Sequence, residues 1–144
     1  MVESKPIRTV GGSCLCGGVI FEISLPSVVC AHCHCTQCRR AHGAAFVTWF
    51  TVPKERWRVT QGDALLRRYA SSDHARRWFC SGCGSSLFFE TDREPGRIDI
   101  ALANLDGPLD RDPQLHVWYD EHVDWVEAAD ALPRLGRGGE PGDG

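Results

Sequence analysis

No stretch of the 144-residue sequence approaches the run of about 20 apolar residues that crosses a bilayer as a helix. The opening residues, Met1-Val2-Glu3-Ser4-Lys5-Pro6, lack the apolar core of a secretory leader, so the expected location is the cytoplasm. Basic excess is missing too. The formal net charge of −3 argues against a nucleic-acid platform, whose binding face is ordinarily basic. Internal repeats and linkers are absent, and amphipathic helical periodicity is almost so, which leaves short strands as the main building material.

What remains suits one compact domain. Hydrophobic residues make up 42% and charged residues 24%, proportions that exclude wholesale disorder. Residues 1–9 read as a polar lead-in, residues 10–134 as a single domain, and residues 135–144 as a Gly-rich mobile tail. Strands are expected over Val19–Ser24, Val28–Cys33, Ala45–Val52, Trp57–Thr60, Ala64–Ala70, His74–Phe79, Ser86–Glu90, Arg97–Leu102 and Leu115–Tyr119. Thr36 is expected to cap a helical turn through Arg40 that Gly43 ends. Val123–Ala129 reads equally as strand or helix. The glycines of Gly11-Gly12 and Gly17-Gly18 are expected to allow tight turns around the first cysteine pair.

The eight cysteines fall in three tight groups: Cys14 with Cys16, then Cys30, Cys33, Cys35 and Cys38, and finally Cys80 with Cys83. Spacings of one and two residues suit thiolates converging on one ion, and two such close cysteines rarely reach disulfide geometry without strain. In a reduced compartment the metal reading is the stronger one. Cys14, Cys16, Cys80 and Cys83 together offer four thiolates, enough to close a structural zinc shell. Cys33, Cys35 and Cys38 can wrap a second ion. That site either keeps an open fourth position, as reactive zinc does, or is closed by Cys30, His32, His34 or His42.

Three segments carry a resemblance: Gly11-Gly12-Ser13-Cys14-Leu15-Cys16-Gly17-Gly18-Val19, Cys33-His34-Cys35-Thr36-Gln37-Cys38-Arg39-Arg40, and Phe79-Cys80-Ser81-Gly82-Cys83-Gly84. In this order they resemble the glutathione-dependent formaldehyde-activating enzyme family, also called centromere-protein-V-like. Pro113–Trp118, Trp125 and Leu132-Pro133 resemble the family's C-terminal pattern. The resemblance implies a mainly β fold of the β-tent type, short antiparallel strands stapled by zinc, with two Zn²⁺ ions. It puts the structural ion on Cys14, Cys16, Cys80 and Cys83 and the catalytic ion on Cys33, Cys35 and Cys38. Cys30 lies outside the pattern and reads as a small core residue.

The implied activity is that of a carbon–sulfur lyase of the S-(hydroxymethyl)glutathione synthase type, joining glutathione to formaldehyde. A sulfur-rich zinc site matches a soft fourth ligand such as a substrate thiolate. Three thiolates leave the site at −1, which disfavours strong acidification of bound water. His34, His42 and His116 are candidate general acids, each with a core or solvent-facing alternative. Arg39, with Arg40 beside it, could clamp a substrate carboxylate or merely offset the negative site. Trp49, Phe50, Trp118 and Trp125 are candidate pocket walls, although aromatics on alternating strands are more often core. The expected partner is a small-molecule thiol, with no nucleic acid and no membrane. The competing class is a non-catalytic zinc-binding β-tent interaction module, whose second site would be closed.

Overall fold

In the computed structural model, which describes residues 8–137, the short alternating strands sort into two sheets. β1 (Thr9–Ser13), β2 (Ile20–Ser24) and β5 (Trp57–Gln61) form an antiparallel three-stranded sheet in the order β1-β2-β5. The larger sheet contains β3 (Val29–Cys33), β4 (Val47–Pro53), β6 (Leu66–Ala70), β7 (Ala75–Cys80), β8 (Ser86–Thr91), β9 (Arg97–Ala101) and β10 (Leu115–Val117). Its order is β10-β3-β4-β9-β8-β7-β6, antiparallel throughout except for the parallel β10–β3 pair. One short helix, α1 (Thr36–His42), joins β3 to β4. The fold is mainly β, as expected.

Strand parity builds the core. Phe21 and Ile23 of β2 face Phe50 and Val52 of β4, Phe88 of β8, and Ile98 and Ile100 of β9, all buried. Phe88 is the centre of an aromatic cluster, with edge-on rings at 5.1 Å from both Phe21 and Trp57. Cys30 points into this core from β3 and is fully buried. The alternate residues of β4, β7, β8 and β9 point to the opposite face of the larger sheet, which the smaller sheet leaves uncovered. Beside that face lie Cys33, Cys35 and Cys38.

Several local expectations change. β1 is a strand where a lead-in and a turn were expected. Its Gly12 is there for packing: a Cβ would lie 2.2 Å from the Phe21 ring and 2.6 Å from the Asn104 carbonyl. Gly17, by contrast, has φ 74° and makes the expected turn. Cys35, not Thr36, caps α1, its Sγ accepting from the Cys38 N–H at 3.2 Å. Gly43 ends the helix in the left-handed region at φ 61°. β10 stops at Val117 because Trp118 adopts φ 54°, and residues 123–129 are neither strand nor helix. Leu135, at the start of the expected tail, donates to the His116 carbonyl at 2.8 Å and accepts from the Tyr119 N–H at 2.9 Å. The rest of the lead-in before residue 8, and residues 138–144 of the tail, lie outside the described residues. No helix among the described residues is long and apolar enough to cross a membrane.

Because Phe88 joins both sheets, Phe88→Ala is expected to cost about 3–5 kcal/mol, the range for emptying an aromatic core position. Urea unfolding checks it: the midpoint falls while the slope stays constant.

Candidate metal centres and the adjoining groove

The first centre joins two loops far apart in sequence. Cys14 follows β1 in a turn closed by Gly17 N–H to Cys14 C=O (3.1 Å) and Cys14 N–H to Val19 C=O (3.1 Å). Cys80 ends β7, and its loop is closed by Gly84 N–H to Cys80 C=O at 2.7 Å. The four Sγ atoms of Cys14, Cys16, Cys80 and Cys83 all lie within 4.8 Å of one another. Cys14 and Cys16 are 3.6 Å apart, and Cys16 and Cys80 3.9 Å. Sulfurs at tetrahedral corners about 2.3 Å from a zinc ion stand about 3.8 Å apart, so the set fits such a shell and is far too open for disulfides. The Val19 N–H reaches Cys14 Sγ at 3.3 Å and the Gly18 N–H reaches Cys16 Sγ at 3.4 Å, each offsetting thiolate charge. The Ser85 hydroxyl and N–H draw the Cys83 thiol down to about 5.

In the second centre, Cys33 ends β3, Cys35 caps α1, and Cys38 sits one turn later. Strand end and helix start thus deliver three sulfurs within 4.8 Å of one another. Cys33 and Cys38 are 3.5 Å apart, again a thiolate-shell separation. Without a cation the crowded thiols share protons: the Cys33 and Cys38 S–H groups push Cys35 toward the thiolate, while Cys33 itself is driven far up. A dication replaces those protons, which is the chemistry such a donor set is built for. Among the described residues no fourth His, Cys, Asp or Glu atom joins the three. Cys30 cannot, because strand parity turns it into the core, where burial pushes its thiol up to about 11. His32 faces the same way as Cys30 and hydrogen-bonds Thr48 Oγ1 at 2.8 Å.

Two residues on the same outer face as this centre had no distinguishing mark in the sequence. Arg77 of β7 sends both Nη1 and Nη2 to Cys38 Sγ at 3.6 Å, and its guanidinium stacks 4.9 Å over Phe89. Asp99 of β9 stands between Thr51 and Phe89 in the cross-strand register. It accepts a 2.5 Å hydrogen bond from Thr51 Oγ1, and burial pushes its carboxyl up to about 6. Side-chain parity was the signal available: both alternate with residues of the core face. Whether that outer face met solvent or floored a groove was decided elsewhere in the chain.

A groove of about 910 Å³ runs over this outer face from the three cysteines past Trp49, Phe89 and Asp99. Trp118 forms part of its wall from a left-handed backbone conformation uncommon for a bulky residue. Of the sequence-nominated aromatics, Trp49 and Trp118 line the groove, Phe50 is core, and Trp125 is 70% exposed.

Neither His34 nor His116 lines the groove. His34 Nε2 and His116 Nδ1 are 2.8 Å apart, and His116 Nε2 lies 3.0 Å from both Asp130 oxygens. With His116 donating to Asp130, His34 Nε2–H is the donor to His116. His34 instead borders a small separate cavity with Tyr119 and His122, and burial beside His116 draws it down to about 4. His42 packs against Trp49 at 5.1 Å and is likewise drawn down to about 4 by burial. Arg39 is also outside the groove. Its guanidinium reaches Thr36 Oγ1 at 3.2 Å, and its Nε donates to the His34 carbonyl at 3.4 Å.

A mainly β protein whose two cysteine clusters could each hold a metal, one beside a groove, is the class that fold and site define. The chain belongs to the family described as "Glutathione-dependent formaldehyde-activating enzyme", which matches residues 9–121. It is 28% identical over 123 residues to a Halomonas elongata protein named "Putative glutathione-dependent formaldehyde-activating enzyme", covering 81% of this chain and 78% of that one. It is 30% identical over 83 residues to a Schizosaccharomyces pombe protein named as an uncharacterized lyase; the match takes in 54% of this chain and only 55% of the yeast protein's length. A crystal structure of a Rhodobacter sphaeroides protein superposes with a TM-score of 0.60 at 29% identity, covering 70% of this chain and 92% of that one.

Removing metal should separate the two centres. Cys80→Ser is expected to destabilise the whole chain, whereas Cys38→Ser should lose one metal equivalent and keep a cooperative thermal transition. Elemental analysis paired with calorimetry reads both. Asp99 adds a pH signature. Its folded-state value, about 6, lies above the ordinary 3.8, so the native chain holds the extra proton between those values and loses stability as pH rises through them. Asp99→Asn should remove this loss, melting higher than the parent at pH 7 by a larger margin than at pH 5.

Proposed function

We propose that this protein is a zinc-dependent carbon–sulfur lyase that forms and cleaves a small thiol–aldehyde adduct, of the S-(hydroxymethyl)glutathione synthase type. The observation that carries the reading is a three-cysteine centre, with no fourth protein donor among the described residues, beside a groove of substrate size. Such a centre contrasts with the closed second site that a purely structural interaction module would be expected to have. The four-cysteine centre serves as the structural staple, and Cys33, Cys35 and Cys38 hold the second zinc. Family membership and the names of the relatives support the substrate class, glutathione with formaldehyde.

A zinc ion bound there supplies an open position for a soft ligand and lowers the proton affinity of a thiol. The chain's residues do the rest. Arg77 offsets part of the charge that three thiolates concentrate at Cys38, so an anionic sulfur can approach. Trp49, Phe89 and Trp118 flank the groove with apolar surface that confines the aldehyde next to the thiol. In the synthetic direction an S–C bond forms, the carbonyl π bond breaks, and the proton lost from sulfur ends on the new hydroxyl. The groove is open to solvent, so water serves as the proton carrier. Holding the two reactants in contact is the main source of acceleration.

Native mass spectrometry tests this directly. Two zinc ions per chain, and one glutathione that binds the parent but not Cys38→Ser, are expected. Two zinc ions with no thiol uptake would remove the lyase reading and leave the interaction module.

A further inference from the structure

Cys33 and Cys38 are buried, but Cys35 is only half-buried, so packing holds it the least of the three. The residues on either side of it are each tied to a carboxylate outside the centre. On one side the buried His34 ring meets His116 at 2.8 Å, and His116 Nε2 lies 3.0 Å from both Asp130 oxygens. The His34 N–H also donates to the Val117 carbonyl at 3.0 Å. On the other side the Thr36 N–H donates to Glu121 Oε1 at 2.8 Å.

The C-terminal segment secures both carboxylates. Arg134 donates to Asp130 at 3.3 Å and Arg137 to Glu121 at 3.1 Å. The His116 N–H donates to the Pro133 carbonyl and the Leu135 N–H to the His116 carbonyl, each at 2.8 Å, which lays the segment alongside β10. Asp130, Arg134 and Arg137 all lie past residues 9–121, the stretch that matches the family.

A carboxylate only accepts, so Asp130 fixes which nitrogen of His116 carries the proton and leaves His116 Nδ1 to accept from His34. His34 Nδ1 has no hydrogen-bond partner among the described residues, so its ring has this one polar anchor. With the backbone pinned at His34 and at Thr36, Cys35 keeps few soft dihedrals. A centre with three protein bonds to its ion has less binding energy than one with four to set against the entropy of ordering its ligands. Ordering them in advance therefore raises its metal affinity.

We propose that Asp130 and Glu121 are positioning residues of the three-cysteine centre: by holding His34 and Thr36 they preset Cys35, and the C-terminal segment locks both. The inference rests on the zinc-binding role proposed above for Cys33, Cys35 and Cys38. It adds a control of metal retention exerted from residues that touch neither the ion nor the groove's aromatic walls.

Competition of the zinc-loaded protein against a chromophoric chelator tests it, using the parent, Asp130→Ala, Glu121→Ala, Asp130→Asn and Glu121→Gln. The equivalent missing from Cys38→Ser identifies the second centre. Both Ala variants should hold that zinc about tenfold more weakly, the lower end of the cost of removing a hydrogen-bond partner behind a metal ligand. The four-cysteine centre should be unchanged. Asp130→Asn and Glu121→Gln keep an acceptor oxygen and should recover most of the loss. The Asp130 and Glu121 side chains are 39% and 22% exposed, outside the core, and melting temperature confirms that each variant is folded. If the Ala variants weaken both centres alike, leave the second unchanged, or are not bettered by Asn and Gln, the positioning role is overturned while the lyase reading stands. If one carboxylate alone shows the pattern, the role of the other is overturned. If the parent holds zinc at the four-cysteine centre only, the lyase reading fails and this inference fails with it.

Discussion

Four sulfurs, carried on loops 64 residues apart at their nearest crossing, meet at separations close to 4 Å, and much of the chain's geometry follows from that meeting. Cys14 directly follows a strand of the smaller sheet, and Cys80 ends a strand of the larger. Holding them together ties the two sheets at one edge, where Gly18 and Gly82 pack against Leu65. The aromatic cluster of Phe21, Trp57 and Phe88 then fills the space between the sheets. Because the unfolded chain has no preformed site, whatever free energy an ion contributes there is folding free energy.

With one face of the larger sheet sealed by the core, its other face is free to build chemistry. The same strand alternation that sends Phe50, Phe88 and Ile100 inward sends Trp49, Phe89, Asp99 and Arg77 outward. Cys33 lies on that outward parity and Cys30 does not, so two cysteines three residues apart have unrelated surroundings. Asp99 is the costly member of this face. Its ionised form is disfavoured by burial and by the nearby Glu94, and the Thr51 hydroxyl and the charge of Arg97 offset only part of that.

Much of this was legible in the residues. The grouping of the cysteines was written in their spacing, because thiols able to share an ion must be close and short loops are the simplest way to bring them close. Most strands were legible as well, because alternating apolar residues report directly on a two-sided sheet. β1 was not, since Val10 is its only buried apolar residue and its two glycines suggest a turn. Gly12 is small for the sake of Phe21, a contact across two strands that no local pattern announces. Trp118 likewise looks like a strand residue until its left-handed backbone is seen.

The sequence by itself determined the fold class, the two sets of converging sulfurs and the exclusion of Cys30 by family pattern. The fold class follows from alternation and the cysteine groups from short-range spacing, which are properties of neighbouring residues, whereas the exclusion of Cys30 is what the family resemblance implied. Only the tertiary structure decided which polar residues stand beside the second centre. It turned His34 and His116 into a buried hydrogen-bonded pair ending on Asp130, held Arg39 against Thr36, and brought Arg77 and Asp99 into the groove instead. The physical reason is that sheet pairing, with strands ordered differently in space than in sequence, sets which side chains share a face. His32, next to Cys33 in sequence, points the opposite way along β3, while Arg77, 39 positions after Cys38, is the residue that touches the Cys38 sulfur.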